Sequence, residues 1–174
     1  MMLASIRPAT PNDIPAIARI YAHAVEHGTA SFEIEAPDQA EMTRRQCELV
    51  DAGFPYIAAE LDGRLLGYAY AGPYRVRPAY RFTVEDSIYV DHQARRSGVG
   101  RMLLDHLIAN ATDRGFRQMI AVIGDSAQTA SVELHRAAGF RMVGTLESVG
   151  HKFGRWLDSV IMQRALGPGA ANPP

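Results

Sequence analysis

The segment Ser87-Ile88-Tyr89-Val90-Asp91-His92-Gln93-Ala94-Arg95-Arg96-Ser97-Gly98-Val99-Gly100-Arg101 decides the fold. It leaves a run of strand-like composition, Phe82 to Val90, and enters a stretch where Val99, Met102, Leu103, Leu107 and Ala111 recur at helical steps. The local order is therefore strand, turn, helix. In the turn, Arg95-x-x-Gly98-x-Gly100, consecutive backbone N–H groups converge and the helix dipole adds positive potential. Its two glycines let a main chain approach an anion without Cβ clash. A diphosphate suits such a turn, although an ordinary basic surface turn can carry the same residues. The Gly-Lys-Ser/Thr ending of a Walker loop and the Gly-x-Gly-x-x-Gly dinucleotide pattern are both absent.

Upstream, Ser5 to Arg7 can close a short strand. Thr10-Pro11-Asn12-Asp13 supplies an N-cap hydroxyl, a proline at the first helical position and an acid in the first turn. Ile14, Ile17, Tyr21 and Val25 form one apolar stripe, which Gly28 is expected to end as a left-handed cap. Thr29 to Pro37 reads as a loop carrying Phe32, and a second helix is expected from about Asp38 to Ala52. Tyr56 to Leu61 and Leu65 to Tyr70 flank Asp62-Gly63, a hairpin signal. Tyr74 to Arg81 has neither regular period and is rich in aromatic and guanidinium groups.

Downstream, Phe116 to Ile123 reads as a buried strand, Thr129 to Ala138 as a short helix capped by Gly139, and Phe140 to Leu146 and Trp156 to Arg164 as strands. A tryptophan in that last hairpin is most simply buried. The tail from Gly167 to Pro174 has no apolar anchor and is expected to fray. Early antiparallel strands followed by strand-helix-strand alternation predict an α/β (α+β) domain, a mixed sheet with helices covering its faces. One domain over 1–166 with a flexible tail over 167–174 is the expected organisation.

With 174 residues, 47% apolar, 21% charged and a net charge of −1, the chain has the composition of a soluble globular domain. It lacks a global positive field for nucleic acid or anionic lipid and any run long enough for a bilayer. Met1 to Pro8 lacks secretory features and Cys47 is the single cysteine, which points to a reducing cytoplasm and excludes internal disulfides and cysteine zinc sites. A small-molecule partner, without nucleic acid, membrane or metal, is expected.

The Arg95-x-x-Gly98-x-Gly100 turn resembles the acetyl-CoA motif of the GNAT superfamily of N-acetyltransferases, and Ser131 to Phe140 resembles the family's next helix-and-strand block ending in Gly-Phe. A closer similarity is to the phosphinothricin and methionine sulfoximine acetyltransferases. It is carried by Ile6-Arg7-Pro8-Ala9, Thr83-Val84-Glu85, Tyr89-Val90, Ala121-Val122-Ile123-Gly124, Leu134-His135 and the turn Gly150 to Asp158. These matches extend across nearly the whole chain. The resemblance implies a GNAT fold with a mostly antiparallel central sheet, acetyl-CoA as co-substrate, a small amino-acid-like acceptor such as phosphinothricin, methionine sulfoximine or methionine sulfone, and a homodimer.

It further implies that main-chain groups of Ile88, Tyr89 and Val90 meet the pantetheine arm, and that the turn Arg95, Arg96, Ser97, Gly98, Val99, Gly100 and Arg101 serves the diphosphate. Gln128 stands where the family often has an asparagine facing CoA, and Ser131 is a second polar candidate there. An α-ammonium must lose a proton before it can attack; Glu85, in the family's acid position, is the candidate base. His135 occupies the place of the proton donor to the departing thiolate and is open to acid, base, positioning or structural roles. Arg75 and Arg77 offer forked donors for a carboxylate or phosphinate, and Tyr80, Thr83 and Phe32 could wall the acceptor. Rival readings are acetylation of another amine and a non-catalytic acetyl-CoA-binding sensor that could dispense with Glu85.

Overall fold

The computed structural model describes residues 4–174. Strands β1 (Ser5–Pro8), β2 (Tyr56–Leu61), β3 (Arg64–Pro73), β4 (Thr83–Val90), β5 (Gln118–Gly124), β6 (Arg141–Lys152) and β7 (Arg155–Ala165) form one seven-stranded sheet in the order β1-β2-β3-β4-β5-β7-β6. Every neighbouring pair is antiparallel except β4 and β5. A parallel pair needs a long crossover, and helix α3 (Val99–Asp113) is that crossover. Helices α1 (Ile14–His27) and α2 (Gln39–Asp51) pack on one face, while α3 and α4 (Thr129–Ala137) cover the other.

Because successive strand residues point to opposite faces, the two faces have separate cores. Val84, Met119, Ala121 and Ile123 pack with Leu103, Leu104 and Leu107 of α3. Tyr56, Ala58 and Tyr68 pack with Ile17, Tyr21 and Val25 of α1. Asp62 and Gly63 both have positive φ, so the expected tight hairpin forms between β2 and β3.

Several local expectations are corrected. Thr10 and Asp13 form a reciprocal cap around a single 3-10 turn, Pro11–Asp13, so α1 starts at Ile14. Gly28 is extended, with φ −139°; space explains it, since a Cβ there would lie 3.0 Å from the Ala24 carbonyl oxygen. The strand expected to end at Leu146 continues to Lys152. Trp156 is 66% exposed, not buried. The terminal segment is held by a cation rather than by apolar contacts: the Arg117 guanidinium donates to the Gly169 and Pro173 carbonyls and to Asn172 Oδ1.

Candidate active site

The parallel pair is short. Thr83 to Asp86 of β4 are in register with Gln118 to Ala121 of β5, and beyond Asp86 the pairing to β5 stops, while β4 remains paired to β3 as far as Val90. The two strands therefore splay. The Asp91 N–H donates to the Leu66 carbonyl on the β3 side, so by alternation the N–H and C=O groups of Ile88 and Val90 point into the opening. Main-chain groups on the unpaired edge of a sheet need partners, and an extended ligand laid in the splay would supply them.

At the same end of β4 the chain passes into the basic turn. Arg96 has φ 62° and Gly98, the N-cap of α3, has φ 86°. A Cβ at Gly98 would meet nothing within 4 Å, so backbone conformation rather than space calls for glycine there. The free N–H groups of the first turn of α3 face out of the helix terminus beside it. Arg95, Arg96 and Ser97 are exposed; Arg101 has its guanidinium on Asp105 at 2.7 Å, which leaves its main-chain N–H as its offering to an anion.

Glu85 and Asp86 face opposite sides of β4. Glu85 shares the α1/α2 face with Ser87 and Tyr89 and lies level with Ile120 of β5. Burial, then repulsion from Asp86, lift its carboxyl above the usual range, with Arg75 pulling the other way. Val122, on the same face two residues beyond Ile120, is exposed and adds an apolar surface that sequence reading missed. Its signal was alternation within an apolar run, which cannot show that β5 has lost its neighbour at that point.

Asp86 points to the α4 side, where its Oδ2 lies 2.9 Å from His135 Nε2. The Nδ1–H of His135 donates to the Ser131 carbonyl at 2.7 Å. Both ring nitrogens thus face acceptors, the arrangement of an imidazolium. Burial by itself pushes this imidazole down, but Asp86 and the Ser131 carbonyl outweigh it and hold the pKa above the usual value. At 4% exposure, with both nitrogens engaged, His135 ties α4 to β4, and of the roles open to it this geometry favours a structural one. Replacing it with alanine is expected to leave Asp86 buried and unpaired, at a cost of roughly 3–5 kcal/mol. A folded pKa above the unfolded one stabilises fully below about pH 6.5 and is lost as pH rises through the folded value. Thermal melts at pH 6 and pH 9 are expected to show a larger penalty for His135→Ala at the lower pH.

The loop after α1 closes the site from the other side. Thr29 Oγ1 donates to Asp125 Oδ2, Gln128 Nε2 donates to Thr29 Oγ1, and Lys152 Nζ donates to the Ser31 carbonyl at 2.9 Å. Phe32 is consequently laid across Gly124 and Gly150: a Cβ at either position would overlap its ring. Gln128 spends its amide nitrogen on the loop, which leaves its amide oxygen as the group it can offer a cofactor. Ser131 serves His135 through its carbonyl. Lys152 is buried, and desolvation lowers its ammonium pKa against the pull of Glu33. Gly150→Ala, which must displace the ring, and Lys152→Met, which releases the loop, are both expected to raise the acceptor KM about tenfold, an effect of roughly 1.4 kcal/mol, with the acyl-donor KM unchanged. Steady-state kinetics with each substrate varied separates the two constants.

The remaining expected acceptor residues are less unified. Arg75 stacks over Tyr74 at 4.6 Å, Tyr74 meets Tyr80 edge-on at 5.6 Å, and Arg77 precedes the 3-10 turn Pro78–Tyr80; all but Tyr74 are exposed. Arg75 is near enough for its charge to act on Glu85. Thr83, on the Glu85 face of β4, lies at the closed end of the β4–β5 pair and borders a surface cleft with Arg117 and the 169–174 segment. Among the described residues no three metal-ligating side chains gather into a metal site, and no helix is long and apolar enough to cross a membrane.

Fold and cleft together define the class, an N-acyltransferase built on a splayed mixed sheet. Residues 6–161 match the model of the acetyltransferase (GNAT) domain. A phosphinothricin N-acetyltransferase of Alcaligenes faecalis is 54% identical over 98% of this chain and 86% of its own. An L-methionine sulfoximine/L-methionine sulfone acetyltransferase of Pseudomonas aeruginosa is 40% identical over 99% of this chain and 100% of its own. The crystal structure of a GNAT superfamily phosphinothricin acetyltransferase from Sinorhizobium meliloti, in complex with AcCoA, superposes with a TM-score of 0.96 at 46% identity, covering 99% of this chain and 94% of that one. The chain belongs to the GNAT acetyltransferases.

Proposed function

We propose that this chain transfers the acetyl group of acetyl-CoA to the α-amine of a small anionic amino acid of the phosphinothricin or methionine sulfoximine kind, by direct attack in a ternary complex. The observation that carries the reading is the splay of β4 from β5, which opens beside the N-terminus of α3. The fit to acetyl-CoA rests on two features of the chain: an unpaired strand edge of the right polarity for an amide-bearing arm, and a left-handed glycine turn whose N–H groups suit a diphosphate. When bound, acetyl-CoA supplies the activated thioester.

The residues of the chain do the rest. Ile88 and Val90 offer main-chain donors for the arm and for the oxyanion that develops on acyl transfer. Glu85, on the open face with a raised pKa, takes the proton of the α-ammonium directly or through water. Arg75 and Arg77 receive the acceptor's anionic group, and Phe32 with Val122 excludes water from its other side. The edge strand β6 exposes Met142, Val143, Leu146 and Val149, the turn beyond it Phe153, and the start of β7 Trp156. An apolar edge of that extent supports burial against a second copy, the homodimer.

The test is release of free CoA thiol from acetyl-CoA with phosphinothricin, methionine sulfoximine, methionine sulfone, ordinary amino acids and a polyamine as acceptors, with product mass confirming the amide. Turnover confined to the first three is the expected result. Tight acetyl-CoA binding with no turnover on any acceptor overturns the acceptor assignment.

A further inference from the structure

Acetyl transfer as described leaves unused a cluster of three histidines where helix α1 meets the chain segment leading into the cofactor turn. His23 and His27 lie one helical turn apart on α1, with ring centroids 4.7 Å apart. His92 opens the 3-10 turn His92–Ala94, which runs directly into Arg95. The rings of His23 and His92 are stacked, their centroids 4.2 Å apart and their planes 21° from parallel. This stack ties α1 to the base of the turn. The tie reaches further, because the Ala94 carbonyl accepts the Ser97 hydroxyl at 2.5 Å, and Ser97 adjoins Gly98.

The charges around the stack are mostly positive. On α1, Arg19 is 3.7 Å from Asp91, and His27 is 3.9 Å from Glu26. On the turn, buried Asp91 accepts the Gln93 N–H at 2.9 Å and lies 3.4 Å from His92 Nδ1. From β3, Arg64 reaches Asp91 at 3.5 Å and Gln93 at 2.7 Å. Arg95 is near enough for its charge to act on His23. When all three imidazoles carry protons, Arg19, Arg64, Arg95 and the three histidines face only two carboxylates, Asp91 and Glu26. Neutral rings stack without penalty, whereas two unit charges about 4 Å apart in water oppose each other by roughly a factor of five.

We propose that the His23–His92 stack is an acid-sensitive latch between α1 and the acetyl-CoA turn, closed while the rings are neutral and opened by repulsion when both are protonated. Opening frees the 3-10 turn and loosens the N–H groups that follow it. The direction of titration agrees. Burial, then the charges of His92, His27 and Arg95, press the His23 imidazole below its usual value of 6.5, with Asp91 pulling the other way. A base with a depressed folded pKa carries no penalty above its unfolded value and destabilises the folded contact as pH falls from there through the folded value. The latch therefore opens below about pH 6.5, in the range where histidine changes charge. It concerns carrier affinity alone and holds whichever acceptor the chain acetylates.

CoA is titrated calorimetrically into the wild-type chain, His23→Phe and His92→Phe at pH 7.5 and pH 5.5, with circular dichroism melts to show that the variants fold at both. Phenylalanine keeps a ring in the stack and removes one proton site, so neither variant can place two charges there. At pH 7.5 the three proteins are expected to bind CoA within about twofold of one another. Acidification is expected to weaken wild-type binding roughly three- to tenfold more than it weakens either variant, the scale of one like-charge contact. Titration of the CoA phosphates is common to all three proteins and cancels in that comparison. Equal losses in all three overturn the proposal. So does a smaller loss in the wild type, the result if protonated histidines simply attract the phosphates. NMR titration of the His23 ring gives the local readout: its midpoint should rise in His92→Phe, and an unmoved midpoint removes the charge contact on which the latch depends.

Discussion

Glu85→Gln is expected to lower kcat about 10²- to 10⁴-fold, the range for loss of a positioned general base, with the acetyl-CoA KM close to that of the wild type. The split follows from where Glu85 sits: on the α1/α2 face, level with Ile120, away from the turn that opens α3. The pH dependence is the sharper readout. Burial raises the Glu85 pKa above the ordinary 4.5, so the carboxylate form needed to accept a proton is populated only as pH climbs through that higher value. The acidic limb of kcat/KM in the wild type should rise there, and the glutamine variant, which has nothing to deprotonate, should lack that limb. Wild-type turnover across the pH range in Glu85→Gln would remove it as the base.

Gly98→Val is the second large effect. At φ 86° a β-branched residue is strained by about 1–3 kcal/mol, and relief requires moving the N-cap whose N–H groups form the turn. Acetyl-CoA affinity is expected to fall roughly 10- to 100-fold, the equivalent of about 1.4–2.8 kcal/mol, with loss of thermal stability. Gly98→Asn, which tolerates the left-handed region, should recover most of both. Gly100→Ala adds a Cβ that would sit 3.6 Å from Val90 and 3.7 Å from Leu134, ordinary packing distances, so it should fold normally and report on space beside the carrier alone. Isothermal titration with CoA checks all three variants, and unchanged affinity in Gly98→Val would mean that the turn does not cradle the diphosphate.

Much of this was legible in one dimension. The helical stripes of α1 and α3, the Asp62-Gly63 hairpin and the strand-turn-helix around Gly98 are written in short-range patterns, because caps, turns and periodicity act within a few residues. Family resemblance drew Glu85 and the Arg95 to Arg101 turn from the same local motifs. Errors fell where a residue's state depends on what lies beside it in space. Gly28 reads as a conformational glycine and is one that avoids the Ala24 carbonyl; Trp156 reads as buried and is 66% exposed.

The sequence alone determined the sheet-and-helix order, the anion-suited turn and the pool of titratable groups near it, since these depend on composition and spacing along the chain. Tertiary structure alone decided that β4 and β5 part after Asp86, that Glu85 and Asp86 serve opposite faces, that His135 has both nitrogens engaged, and that Lys152 fixes a loop 121 residues away. The reason is physical: pairing, burial and ionisation depend on distances between residues far apart in the chain, which appear only when the sheet has closed around them.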